Sequence, residues 1–198
     1  SQADVPVTDT QLLWRALQYA ATFGFSVWLR PQEGHLALGG VAHDGQVATR
    51  LGLPAIPVSA EIIALQTLLQ LVRDTGARVH FQRLSSARGV ALVRAAKAEG
   101  LPVTCDISAH HAHLSEMDIG YFDAHANLIP PLRAEMSQVT GSPSAGEAAD
   151  LCVFDPAASV RISAEGLKSQ GKNTPFMGQA LPGKVRYTLV SGLVVYEG

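Results

Sequence analysis

The chain has 198 residues, 47% of them hydrophobic, and its 15 basic and 17 acidic side chains give a formal net charge of −2. That composition suffices for a sizeable core, and the balanced charge, with no lysine-rich run, argues against nucleic-acid or anionic-membrane partners and for a small molecule or another protein. No uninterrupted apolar run approaches the ~20 residues that span a bilayer, and the opening SQADVPVTDT lacks the basic and apolar regions of a signal peptide, so a cytoplasmic location is expected.

Thr8 or Asp9 can cap a helix through Phe23, because Leu12, Leu13, Ala16, Leu17 and Ala20 recur at helical spacing and Gly24 stops it. Phe25 to Leu29 reads as a strand, followed by a polar, glycine-rich loop through Gly45. Ser59 is the expected cap of a second helix, Ala60 to about Asp74, with Glu61 in its first turn and Gly76 just past its end. Arg78 to Gln82 is the next strand, Ser86 to Glu99 a third helix, and Leu101 to Ile107 a third strand. Such β-loop-α alternation builds a parallel sheet, either open and doubly wound or closed into a (β/α) barrel, with the chemistry beyond the carboxyl ends of the strands.

Those ends are Arg30, Arg83 and the cluster AHHAHL from Ala109 to Leu114. From Met136 to Gly146 the sequence turns small and polar. Beyond it Leu151 to Phe154, Lys184 to Ser191 and Leu193 to Tyr196 are short β runs, the last two joined at a hairpin on Ser191-Gly192. The expected organisation is therefore an α/β portion over 1–135, a junction over 136–146 and a small all-β C-terminal appendage over 147–198.

His110, His111 and His113 invite a metal reading, since in a strand-to-loop segment two ligands two apart, as His111 and His113 are in HxH, can share a face. A site still needs three or four converging donors, and the other strand ends offer arginines. His80, inside its strand, reads as a core histidine satisfied by a neighbour. His35 and His43 flank Gly39-Gly40 and read as solvated. Cys105 and Cys152 lie in apolar runs outside any CxxC spacing and read as buried thiols of a reducing compartment. GxSxG, HExxH and GxxxxGK[ST] patterns are absent from the sequence.

The segments GGVAHDGQVATRLGLPAIPVSAE (Gly39–Glu61), VHFQRLSSARGVALVRAAKAEGLPVTCDISAHHAHLSEMD (Val79–Asp118), NLIPPLR (Asn127–Arg133), AADLCVFDP and GKNTPFMGQALPGKV together resemble the dihydroorotases of the amidohydrolase superfamily. The resemblance implies part of a (β/α)8 TIM-type barrel and, in working members, zinc at the strand ends activating a water that opens or closes the dihydroorotate ring. Two of the family's histidine ligands align with Arg30, in WLRPQEGHL, and Arg83, in HFQRLSS. Its basic and amide residues before the double proline align with Asn127 and Ile129. His110 and His111 match a double histidine outside the ligand set. The family's first HxH pair and its late aspartate have no counterpart, which points to stretches missing before Ser1 and near Met136 to Gly141.

The resemblance thus implies a non-catalytic dihydroorotase-like protein of pyrimidine biosynthesis, without a cofactor, acting as a structural subunit for the catalytic chains of aspartate carbamoyltransferase and itself a homo-oligomer. The alternative is an active zinc dihydroorotase or related cyclic amidohydrolase, drawing ligands from His80, His110 and His113. A third reading places an anion pocket between Arg30 and Arg83.

Overall fold

The structure is a computed structural model that describes residues 9–121, 124–134, 151–190 and 193–198. It divides into two units, Ser1–Val139 and Thr140–Gly198. Thr8, the Met136–Gly146 junction and the Ser191-Gly192 hairpin lie outside the described residues.

Helix α1 (Thr10–Phe23) is capped by Asp9, whose carboxylate accepts the Gln11 and Leu12 N–H groups, and it ends where Gly24 turns left-handed at φ +68°. Strand β1 (Ser26–Leu29) follows. The stretch expected to be only a loop then contains a small ββ unit, β2 (Ala42–His43) paired in parallel with β3 (Ala55–Ile56) across helix α2 (Gln46–Leu51). Two-residue strands and a six-residue helix are too short to leave a periodic signal.

Helix α3 (Val58–Thr75) starts earlier than expected: Pro57, not Ser59, occupies the cap position, and it supplies no side-chain acceptor. A proline there sacrifices nothing, because the first N–H groups of a helix have no intrahelical partner. Strand β4 (Arg78–Phe81) leads to helix α4 (Ala87–Ala98), capped by Ser86, whose Oγ accepts the Gly89 N–H. Strand β5 (Val103–Cys105) and helix α5 (Ala109–His113) complete the alternation.

β1, β4 and β5 form one all-parallel sheet in that order, with Leu29 opposite Phe81 and Phe81 opposite Cys105. Alternation along the strands separates two faces. Val79, Phe81 and Val103 point to the helices and pack with Leu17 of α1, Leu65 and Val72 of α3 and Val93 of α4. Fully burying each such side chain contributes about 1.5–3 kcal/mol. The opposite face carries Ser26, Trp28, His80 and Thr104, and Trp28 there is 65% exposed.

The second unit contains an antiparallel sheet of β6 (Leu151–Arg161), β7 (Ala180–Val190) and β8 (Leu193–Glu197). β6 runs further than its apolar segment, and its register slips between Asp155 and Ser159, where Pro156 has no N–H to give to the ladder. Cys152 is exposed on β6, which corrects its reading as a buried thiol; Cys105 is half-buried, and burial pushes its thiol pKa up.

Candidate functional site

The Gln82 N–H donates to Leu29 O at 2.9 Å, so Arg30 and Arg83 follow neighbouring strands at one end of the sheet. Arg83 is the only non-glycine among the described residues with positive φ, at +54°. That conformation is held from β5: its N–H donates to Asp106 Oδ1 at 2.7 Å, and the Leu84 N–H donates to Asp106 O at 3.0 Å. Asp106 Oδ2 in turn lies 2.9 Å from His80 Nε2, while His80 Nδ1 lies 2.7 Å from the Thr104 hydroxyl. The His80 ring packs on Trp28 with centroids 4.8 Å apart. His80 is thus satisfied by its neighbours, with both ring nitrogens engaged. The Arg83 guanidinium donates through Nη1 to Ile129 O at 3.3 Å, and the Arg30 guanidinium donates to Gln32 Oε1.

The AHHAHL cluster is helical, not a strand-to-loop segment, because Ser108 caps it by accepting the His111 N–H. On a helix, residues two apart point to different sides while residues three apart are neighbours, so an HxH pair does not share a face here. His111 is buried, 5% exposed, with Nδ1 2.6 Å from Ser108 Oγ and Nε2 3.1 Å and 3.2 Å from the carbonyls of Pro130 and Pro131. It fastens the double-proline loop to α5. Desolvation lowers the pKa of His111, and burial also lowers that of half-buried His110. His113 is exposed, as are Asn127 and Ile129.

A buried polar strap lies beneath these positions. Glu61, 3% exposed, accepts from Ser85 N and Oγ, both at 2.7 Å, and from Ser86 N at 3.2 Å and Ser86 Oγ at 2.5 Å. Arg133, 4% exposed, donates through Nε to Ser85 Oγ at 3.1 Å and through Nη1 to Ile56 O at 2.6 Å, and Nη1 lies 3.3 Å from His43 Nδ1. His43 is therefore buried rather than solvated, and desolvation with the nearby Arg133 charge lowers its pKa. Glu116 is also buried, and its Oε2 has no hydrogen-bond partner among the described residues. Only Glu61 had a sequence signal, a carboxylate in the first turn of a helix; Arg133 sits in a loop with partners remote in sequence, and Glu116 opens a four-residue 3-10 helix too short to leave a pattern.

These donors do not fit a zinc ion. Two guanidiniums occupy the strand ends, His80 and His111 are engaged on both nitrogens, and no three His, Cys, Asp or Glu groups among the described residues converge on a common point. His80 comes from β4 and His110 and His113 from α5, and among the described residues they join no group of three donors.

No family model matches the chain. It is 33% identical to a dihydroorotase-like protein of Pseudomonas aeruginosa, over 96% of this chain and 63% of that one. It is 30% identical to a dihydroorotase of Anaeromyxobacter dehalogenans, over 97% of this chain and 62% of the relative. The chain thus spans less than two thirds of the length of these curated relatives. The first of these alignments runs over 266 positions, so at least 68 positions within it (266 less the 198 residues present) face no residue here. Among solved structures, an L-hydantoinase from Arthrobacter aurescens superimposes with a TM-score of 0.74 at 19% identity, over 98% of this chain and 63% of that one. A dihydropyrimidinase from Brevibacillus agri gives 0.71 at 17%, over 100% and 62%. Likeness at that identity establishes the shared α/β fold, of which this chain holds a part.

Proposed function

Because this chain belongs to the dihydroorotase family of the amidohydrolase superfamily, we propose that it is a catalytically silent dihydroorotase-like protein of pyrimidine biosynthesis, serving as a structural subunit for the catalytic chains of aspartate carbamoyltransferase. The observation that carries the proposal is the occupancy of two strand ends by Arg30 and Arg83, where the family aligns histidine ligands. A zinc dication about 5 Å from one guanidinium is repelled by roughly 6 to 7 kcal/mol at an effective dielectric of ~20, and the second arginine adds to this.

Further support comes from the substrate positions. Ile129 offers an apolar side chain where an amide aligns, and its carbonyl is already taken by Arg83. The Pseudomonas relatives, at 33% and 32% identity, are named dihydroorotase-like proteins, in keeping with a degenerate branch. In this role the protein binds no zinc, associates with itself and with the transferase through outer surfaces of the barrel, and leaves the strand ends without chemistry.

The test uses the full-length protein: elemental analysis for zinc, dihydroorotate turnover, and light scattering after mixing with aspartate carbamoyltransferase. The expected results are substoichiometric metal, no turnover and one large co-eluting species. Tightly held zinc with chelator-sensitive turnover would establish the active-enzyme alternative, and separate elution at micromolar concentration would remove the scaffold role.

A further inference from the structure

Three side chains at the open face of the parallel sheet form a chain of hydrogen bonds. Thr104 Oγ1 lies 2.7 Å from His80 Nδ1, and His80 Nε2 lies 2.9 Å from Asp106 Oδ2. His80 on β4 stands opposite Thr104 on β5 in the parallel register. A carboxylate only accepts, so the neutral imidazole carries its proton on Nε2 and turns its Nδ1 lone pair to the Thr104 hydroxyl. The hydroxyl thus donates to a base whose tautomer is set by an acid. Asp106 is itself held, since its Oδ1 accepts the Arg83 N–H at 2.7 Å and its own N–H donates to Phe81 O at 3.1 Å.

This chain is not sealed in a core. Thr104 is exposed, and the His80 and Asp106 side chains are 20% and 47% exposed. A cavity of about 380 Å³ is lined by Thr104 and His80 together with Ser26, Trp28 and Arg78. Trp28 packs on the His80 ring and still leaves most of its own surface open. β5 is an outer strand in the order β1-β4-β5. Successive N–H groups of a strand point to opposite sides, and that of Asp106 points to β4, so that of Cys105, one residue after Thr104, points to the outer edge. No strand among the described residues pairs with it there.

We propose that Thr104 and His80 form an esterase site for small aryl esters, with Asp106 as a positioning residue and Trp28 as the platform for the aryl ring. A hydroxyl and a base within hydrogen-bond reach, the base oriented by a third group, is the arrangement that activates a nucleophile, and it is recognised by geometry on any fold. Thr104 Oγ1 bonds to the acyl carbon as its proton passes to His80 Nδ1, and the Asp106 carboxylate stabilises the imidazolium. The bond from the acyl carbon to the phenol oxygen breaks, and the phenol leaves with that proton. Water then adds to the acyl-threonine, giving a proton to His80; the acyl–Oγ1 bond breaks, Thr104 takes the proton back and the carboxylic acid departs. The activity stands apart from dihydroorotate chemistry, and neither its presence nor its absence bears on the scaffold role.

The whole chain is mixed with 4-nitrophenyl acetate, nitrophenolate release is followed by absorbance, and acid-quenched samples are mapped by peptide mass spectrometry. Release that saturates with ester and an acetyl group on Thr104 are expected. Thr104→Val keeps the side-chain shape and the strand preference at an exposed position, and it should abolish both. Asp106→Asn should lower kcat about tenfold or more with KM nearly unchanged, because it orients the base without touching the ester. Circular dichroism verifies folding; if Asp106→Asn does not fold, Thr104→Val carries the test. Release that rises linearly without saturation, release undiminished in Thr104→Val, or acetyl found on lysines or other histidines and not on Thr104 overturns the proposal.

Discussion

Replacing Glu61 by glutamine probes the strap that joins α3 to the start of α4. The carboxylate takes four hydrogen bonds, two on each oxygen, at 2.5 to 3.2 Å, in a place only 3% exposed. The amide keeps one oxygen and turns an NH2 toward the other pair of donors. A hydroxyl in that pair can rotate and accept; the backbone N–H beside it cannot, and stays buried against another donor. The loss of two charge-assisted bonds plus one orphaned N–H amounts to about 3 to 5 kcal/mol. At a typical urea slope of ~2 kcal/mol per molar this moves the unfolding midpoint down by about 2 M, a large part of a domain's whole stability. Urea denaturation followed by circular dichroism reads it directly. A shift under about 0.5 M would refute the reasoning and mean that the donors are satisfied some other way.

Gly89→Ala should reproduce much of this loss by geometry alone, since its Cβ would stand 2.3 Å from Glu61 Oε1, an atom held in place and unable to yield; an unchanged midpoint would refute the close approach. Stability should fall as pH drops below about 6.5, because His43 and His111 have lowered pKa values in the fold, both by desolvation first, and the unfolded chain binds the extra protons. The sign is fixed: the contribution is complete above the unfolded pKa and fades as pH falls toward the folded values, so His111→Gln should flatten a melting curve series between pH 7 and 5. Arg30→His with Arg83→His should raise zinc affinity by several orders of magnitude through removal of the two charges. Turnover should remain negligible, because Ile129 still gives substrate no hydrogen bond; equilibrium dialysis and a dihydroorotate assay on one sample check both.

The sheet was legible because helix signals flank its strands, with Gly24 ending α1 before β1, Gly76 ending α3 before β4 and Ser86 starting α4 between β4 and β5. The ββ unit at Ala42–Ile56 was not, since a two-residue strand is defined by its partner and not by its own pattern. Local chemistry misled at AHHAHL, where Ser108 nucleates a turn of helix and rotates His111 and His113 to different sides. His43 and Arg133 illustrate the larger limit: they meet over 90 positions of sequence, and burial of a charge can be seen only once the surrounding elements are placed. Arg30 and Arg83 were placed at strand ends by pattern and at ligand positions by resemblance, and it is the parallel register of Leu29 with Phe81 that brings them to one end.

The left-handed backbone at Arg83 also shapes which replacements the corner can accept. At φ +54° a long, unbranched cation is held in a region that arginine visits seldom, whereas histidine, asparagine and aspartate are several-fold enriched there. Asp106 imposes that conformation from a different strand, so it persists whatever side chain position 83 bears. Random substitution at this corner is therefore sieved by its backbone, and the types that pass most easily are imidazoles, carboxylates and amides, the oxygen and nitrogen donors that coordinate cations.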